Sequence, residues 1–339
     1  MKTLSYLKKI SLIALATFVI SSCEEDGITQ IKNDDGDAIN TEELNIIEIL
    51  SADPNFSSFV AFLEEANLTT VLAADGKKTI LAPTNDAFEN YIDDNDFLSF
   101  EDIPDTALSE LLLNHVIPDS SYTTTGLKAL RTGYDKTLAT GPNNTNVNIY
   151  FNGISGLAFN SVPVTGNQIN AKNGTIHVVN GVVPPATLAA LISSNTSFSG
   201  LVDAIIHVED SGSPTLQPSY SEVLNNQTEL GPFTVFAPLG SAFNTLKTSL
   251  GVQNIEDIPT ERVDAVLLRH IVNGITPIDG FVDGEITTLD GGTITVNMAG
   301  LTLTDKDGTG RILPAISNLQ ATNGILHVVN RVIGETTKE

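Results

Sequence analysis

The sequence predicts an α+β protein in which one folding unit of about 150 residues occurs twice in tandem. Three observations carry this. Ordered blocks of residues recur at a near-constant offset, apolar residues fall at helical spacing early in each copy, and short β-rich runs punctuated by Gly and Asn fill the later part. Because the two kinds of signal are segregated and do not alternate, the pattern indicates a mostly antiparallel sheet and not a series of βαβ units.

The repeat is read directly from the residues. Thr79 to Phe88 (TILAPTNDAF) matches Thr234 to Phe243 (TVFAPLGSAF) at five of ten positions, an offset of 155 that also relates Glu101–Pro104 to Glu256–Pro259 and His115 to His270. Asn173 to Asn180 (NGTIHVVN) recurs as Asn323 to Asn330 (NGILHVVN) at an offset of 150, so five residues are missing between the later blocks of the second copy. A period this long far exceeds the roughly 20–50 residues of a solenoid and describes two domains, at 42–186 and 190–336, with the boundary near Pro184 to Ala190.

Each element has a local reason. Thr79, Ile80 and Leu81 form a β-rich run that stops at Pro83, after which Thr84 is placed to cap a short helix carrying Asn85 and Phe88. Downstream of Pro104, Leu108, Leu111, Leu112 and His115 make one stripe of a helix, and Val263, Val266, Leu267 and His270 repeat it. Residues 146–151, 157–159, 168–170 and 175–179 read as short strands.

Composition narrows the function. With 17 Lys and Arg against 41 Asp and Glu the formal charge is −24, which removes the basic surface that nucleic-acid binding requires. One cysteine and five histidines give no zinc-ligand spacing, and neither a metal nor a cofactor is expected. Residues 1–22 carry Lys2, Lys8 and Lys9 ahead of the apolar run Ile10 to Ile20, too short to span a bilayer and typical of a signal peptide. Ser21, Ser22 and Cys23 resemble the lipobox of bacterial lipoproteins, which makes Cys23 a lipid attachment point and the membrane a partner. Residues 23–41 then read as a solvated acidic tether, and Glu24, Glu25 and Asp26 resemble the surface-export signal of Bacteroidota-type lipoproteins.

At the two repeated blocks the chain resembles the fasciclin (FAS1) family. The first block of each copy, with Thr79, Pro83, Thr84, Asn85 and Phe88 or Thr234, Pro238 and Phe243, is similar to the family's first homology box. The second, with Asn173, Gly174, His177 and Asn180 or Asn323, Gly324, His327 and Asn330, is similar to its second. The resemblance implies a wedge-shaped antiparallel β-sandwich flanked by short helices in each copy, an extracellular location, and adhesion or matrix attachment. Three departures stand out. Asn114 and Arg269 occupy the tyrosine of the Tyr-His pair tied to integrin recognition in animal members; Leu239 and Gly240 replace the Thr-Asn of the first box; and Gly334 stands where the first copy has Pro184.

The chemistry expected of these residues is mainly structural. His115 and His270 lie on apolar helical stripes and His177 and His327 in apolar strands, positions where an imidazole packs and hydrogen-bonds internally. No nucleophile elbow is present, and Asp305 to Gly308 reads as a hairpin turn between Leu301–Leu303 and Arg311–Leu313 instead of a calcium loop, since Ile316 stands at its twelfth position. The expected function is that of a lipid-anchored envelope adhesion or matrix-interaction protein whose partner is a surface protein or glycan. The alternatives are glycan capture through Tyr122, Tyr134 and Tyr150 and, behind it, an envelope hydrolase built on the repeated histidines.

Overall fold

The protein is described from a computed structural model covering residues 40–99, 102–212, 215, 219–225 and 231–334. Residues 1–39, which include the leader, Cys23 and the acids up to Asp37, lie outside the described residues. The first copy passes through α1 (Ile46–Ala52), α2 (Ser57–Glu65), α3 (Thr69–Ala73), β1 (Lys78–Pro83), α4 (Asn85–Asp94), α5 (Asp105–Leu113), β2 (Val116–Pro118) and α6 (Thr124–Leu130). It ends in β3 (Thr132–Gly141), β4 (Thr145–Asn152), β5 (Ala158–Phe159), β6 (Val162–Ala171) and β7 (Gly174–Val179). The second copy runs α7 (Leu188–Ser193), α8 (Ser199–Asp210), α9 (Tyr220–Asn225), β8 (Phe233–Pro238), α10 (Gly240–Leu250), α11 (Thr260–Arg269) and β9 (Ile271–Asn273). Its strands follow as β10 (Gly284–Thr287), β11 (Thr293–Asn297), β12 (Thr302–Asp305), β13 (Gly308–Arg311), β14 (Leu319–Ala321) and β15 (Gly324–Val329). Helices come first and most strands last, twice.

The sheets are mostly antiparallel, with one exception that places the repeated blocks. In each copy the strand of the first block pairs in parallel with the strand of the second: Lys78 to Pro83 on Gly174 to Val179, and Phe233 to Pro238 on Gly324 to Val329. β1, β8 and β15 are buried along their whole length. Continuous burial is what a parallel strand covered on both faces requires, and it explains why these runs are apolar without alternation. The block glycine is fixed by the same pairing. A Cβ on Gly174 would overlap the Lys78 carbonyl oxygen, and one on Gly324 the Phe233 carbonyl oxygen.

Local expectations map onto the chain with small shifts. Thr84 caps α4, its hydroxyl accepting from the Ala87 N–H at 3.3 Å. Leu239 holds the same extended backbone before α10 without a side-chain cap, and packs instead against the apolar cluster of α7–α11. Pro104 and Pro259 stand at the N-caps of α5 and α11. Residues 40–43, assigned by sequence to the tether and its acid run, already form a 3-10 turn in which Thr41 is buried. The acidity of that stretch hid a turn held by its own Asn40 side chain. Strand β3 gave no signal because most of its residues are partly exposed and its ladder with β4 is interrupted between Lys136 and Thr140.

Contacts divide the chain into two compact units that do not follow the repeat. The first holds the described chain up to Ile103 with Asp119–Thr124 and Val164–Val182; the second holds Pro104–Pro118, Thr125–Pro163 and the chain from Val183 onward. In the first, Phe88 on α4 packs edge-on to Phe62 at 5.3 Å and near Phe59 at 6.0 Å, both on α2. The second combines β3, β4 and β5 with the whole second copy. Within it the Gln320 N–H donates to Asn148 at 2.7 Å in a buried bond, Asn195 donates to the Tyr134 hydroxyl at 2.9 Å, and Tyr134 packs on the cluster of α7–α11. A boundary drawn between Pro184 and Ala190 therefore follows the repeat in sequence, while the packing crosses it.

Candidate functional site

The buried polar residues that recur in the two copies do one job: they tie stretches of main chain together from inside. Asn173 accepts from the Ile46 N–H at 2.9 Å and donates to the carbonyls of Leu72 and Ala74 at 2.7 and 2.9 Å. Asn323 accepts from Leu188 at 2.9 Å and donates to Val223 and Leu224 at 3.3 and 2.8 Å. One buried carboxamide thus joins the start of a helix, the end of another and a strand. The Thr79 hydroxyl donates to the Ser120 carbonyl and accepts from the Tyr122 N–H, each at 2.8 Å, and Thr234 does the same with Gly274 and Thr276.

The histidines follow this rule. His115 donates from Nδ1 to the Leu111 carbonyl at 2.8 Å and accepts at Nε2 from the Val183 N–H at 2.9 Å; His270 repeats this with Val266 at 2.7 Å and Ile333 at 2.9 Å. The backbone N–H can only donate, so Nε2 is unprotonated and the proton sits on Nδ1. Burial pushes both imidazoles down to about 4. His327 donates from Nε2 to the Thr276 carbonyl at 2.8 Å and His177 to that of Tyr122 at 2.9 Å. Burial lowers these as well, His327 to about 4. All four are tied to main chain, and in His115 and His270 both ring nitrogens are engaged in this way.

The remaining motif residues are placed as follows. Pro83 and Pro238 end the central strands, and Phe88 and Phe243 fill the space under the following helix. Asn85 accepts from the Ser58 N–H at 2.9 Å and donates to the Pro54 carbonyl at 2.9 Å, tying α4 to the start of α2. Its counterpart Gly240 carries no side chain to do so. Asn330 accepts from the Arg311 N–H at 2.8 Å, and Asn180 is exposed. Asn114 is fully buried, donating to the Val183 carbonyl at 2.9 Å and accepting from the Thr137 hydroxyl at 3.0 Å. Arg269 forms an ion pair with Asp290. Burial raises the Asp290 carboxyl, but the bonds from Arg269, Thr288 and the Gly292 N–H outweigh it and hold the group below its usual range. Gly334 takes a φ of 112° and donates to Asp305, two things a proline cannot do.

Sequence reading missed a second buried pair: the Tyr220 hydroxyl donates to the Asp264 carboxylate at 2.6 Å, and the same carboxylate accepts from the Thr215 N–H at 2.8 Å. An aspartate on the buried side of an amphipathic helix was its only signal. Of the three tyrosines considered for glycan contact, Tyr150 is buried at 2 % exposure, Tyr134 packs on the cluster of α7–α11 with its hydroxyl accepting from Asn195, and Tyr122 is half-buried with its N–H donating to Thr79. The Asp305–Gly308 segment is the turn of the β12–β13 hairpin, with Asp305 accepting from the Asp307 and Gly308 N–H groups at 2.9 and 2.8 Å. No group of three or more His, Cys, Asp or Glu among the described residues is placed to hold a metal. The apolar crevice among Ile192, Leu201, Tyr220, Val235, Leu267 and His270 measures about 10 Å³, room for one water-sized sphere.

The chain matches the Fasciclin domain family over residues 54–185 and 215–335. It is 28 % identical to human periostin over 176 residues, which is 50 % of this chain and 20 % of periostin. It is 28 % identical to protein sll1483 of Synechocystis sp. over 189 residues, 55 % of this chain and 94 % of that protein. A solved FAS1 domain pair from the insect cell adhesion molecule fasciclin I aligns with a TM-score of 0.46 at 16 % identity, covering 81 % of this chain and 92 % of that one. The two matched segments enclose both sets of main-chain staples, and the chain belongs to the fasciclin domain family, of which it carries two tandem copies.

Proposed function

We propose that this protein is an envelope-displayed adhesion or matrix-interaction protein, held by lipid at Cys23 and working through exposed loops, and that it is not an enzyme. One observation supports this reading above the others: the threonine, asparagine and histidines that the two copies share at Thr79 and Thr234, Asn173 and Asn323, His115 and His270, and His177 and His327 are turned inward onto main chain, which leaves the surface loops to meet a partner. Membership of a family of adhesion modules points the same way. Glycan capture loses its main support with the burial of Tyr150 and the engagement of Tyr134. Display on a membrane adds effective concentration to weak contacts, so modest loop affinities suffice.

The test uses the full chain in cells. Protease shaving of intact cells should release the protein, and Cys23→Ser should abolish both membrane retention and attachment to matrix harvested from the same culture. Retention and attachment unchanged in Cys23→Ser would overturn the reading, as would saturable turnover of an envelope substrate that disappears in a folded His115→Gln variant.

A further inference from the structure

The chain's charge is unevenly divided in a way the fold does not require. Between Ser120 and Val202 lie four basic residues, Lys128, Arg131, Lys136 and Lys172, and one acid, Asp135; the other 40 acids fall outside this stretch. Three of those basic residues gather at the end of α6 and along β3. There Leu130 and Ile154 are 58 % and 54 % exposed. Both belong to one surface, because the Gly153 N–H donates to the Arg131 carbonyl at 2.6 Å and a Cβ on Gly153 would lie 2.9 Å from the Lys128 Cα. Arg131 closes α6 with a φ of 70°, a position that favours glycine. The corresponding stretch of copy two, residues 276–285, has no basic residue and carries Asp279, Asp283 and Glu285.

A complementary surface lies in the same chain, at the end of α4. Leu98 is 95 % exposed and follows Asp93, Asp94 and Asp96, all exposed. The turn itself is ordered: the N–H groups of Leu98 and Ser99 donate to Asp102 at 3.0 and 3.1 Å. Copy two builds the same turn, with Gln253 and Asn254 donating to Asp257 at 3.2 and 2.9 Å. It puts Thr248, Ser249 and Gly251 where the acids stand and Gln253 where Leu98 stands. The duplication therefore serves as an internal control, since the turn needs neither the leucine nor the acids. Local physics opposes those acids, because carboxylates in the last turn of a helix face the negative end of its dipole.

We propose that the basic, apolar surface of Lys128, Leu130, Arg131 and Ile154 binds the acidic, apolar loop of Asp93, Asp94, Asp96 and Leu98 on a second copy of this chain. Two cations then face three carboxylates within a Debye length of about 8 Å, and three exposed aliphatic side chains leave water together. The two surfaces differ, so the contact is heterologous and propagates head to tail instead of closing as a symmetric dimer. The overall charge of −24 opposes close approach and limits this to a weak contact, effective where copies are crowded.

The test is sedimentation of the full chain at rising concentration and fixed salt. Wild type should gain mass, whereas Lys128→Glu with Arg131→Glu, and separately Asp93→Lys with Asp94→Lys, should each stay monomeric. Mixing the two variants should restore association, because each retains the surface the other needs. Folding is read independently: the Asp93→Lys and Asp94→Lys variant should keep or slightly raise its melting temperature as the dipole conflict is removed, and Leu98→Ser should weaken association without unfolding. Wild type monomeric at every concentration, or variants that associate as wild type does, would overturn the proposal. So would capture of phosphatidylglycerol vesicles or dextran sulfate without self-association, which would assign the patch to a different class of partner. Because no cell or matrix is involved, failure here is separable from failure of the adhesion reading.

Discussion

At the scale of the residue, the unit of design is a side chain that replaces a missing main-chain partner. Asn173 and Asn323 each hold three backbone groups, and Asn173→Ala should strand the buried Ile46 N–H and the Leu72 carbonyl, at about 1–3 kcal/mol for each group left unsatisfied, while the Ala74 carbonyl keeps the Lys78 ammonium as donor. Denaturant titration of Asn173→Ala against Asn180→Ala, an exposed neighbour, measures it. The histidines make stability depend on pH with a defined sign. Their imidazoles are neutral in the fold, at about 4 for His115, His270 and His327, and ordinary once unfolded. Below about 6.5 the unfolded chain therefore binds more protons. Stability should be full above about 6.5, fall by about 1.4 kcal/mol per pH unit per histidine down to about 4, and then stop falling on their account. Urea midpoints at pH 7.5, 6, 5 and 4 would show it, and His115→Gln should flatten the slope.

At the scale of the element, the two copies allow one substitution to be read against its homologue. Thr84→Ala should cost about 1 kcal/mol through loss of the cap on α4, while Leu239→Ala should cost more than a cap is worth, because Leu239 packs on the helical cluster instead. Comparing the two melting temperatures separates capping from packing. Gly174→Ala and Gly324→Ala should each be severely destabilising, since the added methyl meets the carbonyl of the parallel partner strand. Neither variant changes a charge or a hydrogen bond, so soluble expression with near-native stability would contradict the strand pairing itself.

At the scale of the whole molecule, the repeat in sequence and the cohesion in space are different divisions. The second compact unit draws β3 and β4 from one copy into the packing of the other, and Asn148 to Gln320 is the buried bond that marks it. Asn148→Ala should leave the Gln320 N–H without its acceptor and lower stability by about 1–3 kcal/mol, although residue 148 lies far in sequence from the strand it supports. A full-chain melt compared with Asn180→Ala, an exposed residue outside the left-handed region, gives the measurement. For the same reason, deletion of a whole copy is a poor test of attachment, and surface substitutions are the cleaner one.

The order of elements, the duplication and the inward use of the histidines were legible because each rests on local spacing: an apolar stripe at 3.6 residues, a proline at a strand end, a block repeated at offset 155. The interrupted strand β3, the pairing of Tyr220 with Asp264 and the turn at residues 40–43 were not, because each takes its meaning from a neighbour distant in sequence or from a bond the composition hides. By itself the sequence determined that one unit was copied and that its repeated histidines turn inward. Only the tertiary structure decided that the two conserved-in-repeat blocks lie side by side as parallel strands, that packing crosses the copy boundary, and which charges share a surface. Periodicity constrains a residue's face, whereas pairing between distant segments is settled by the burial and hydrogen bonds of the folded chain as a whole.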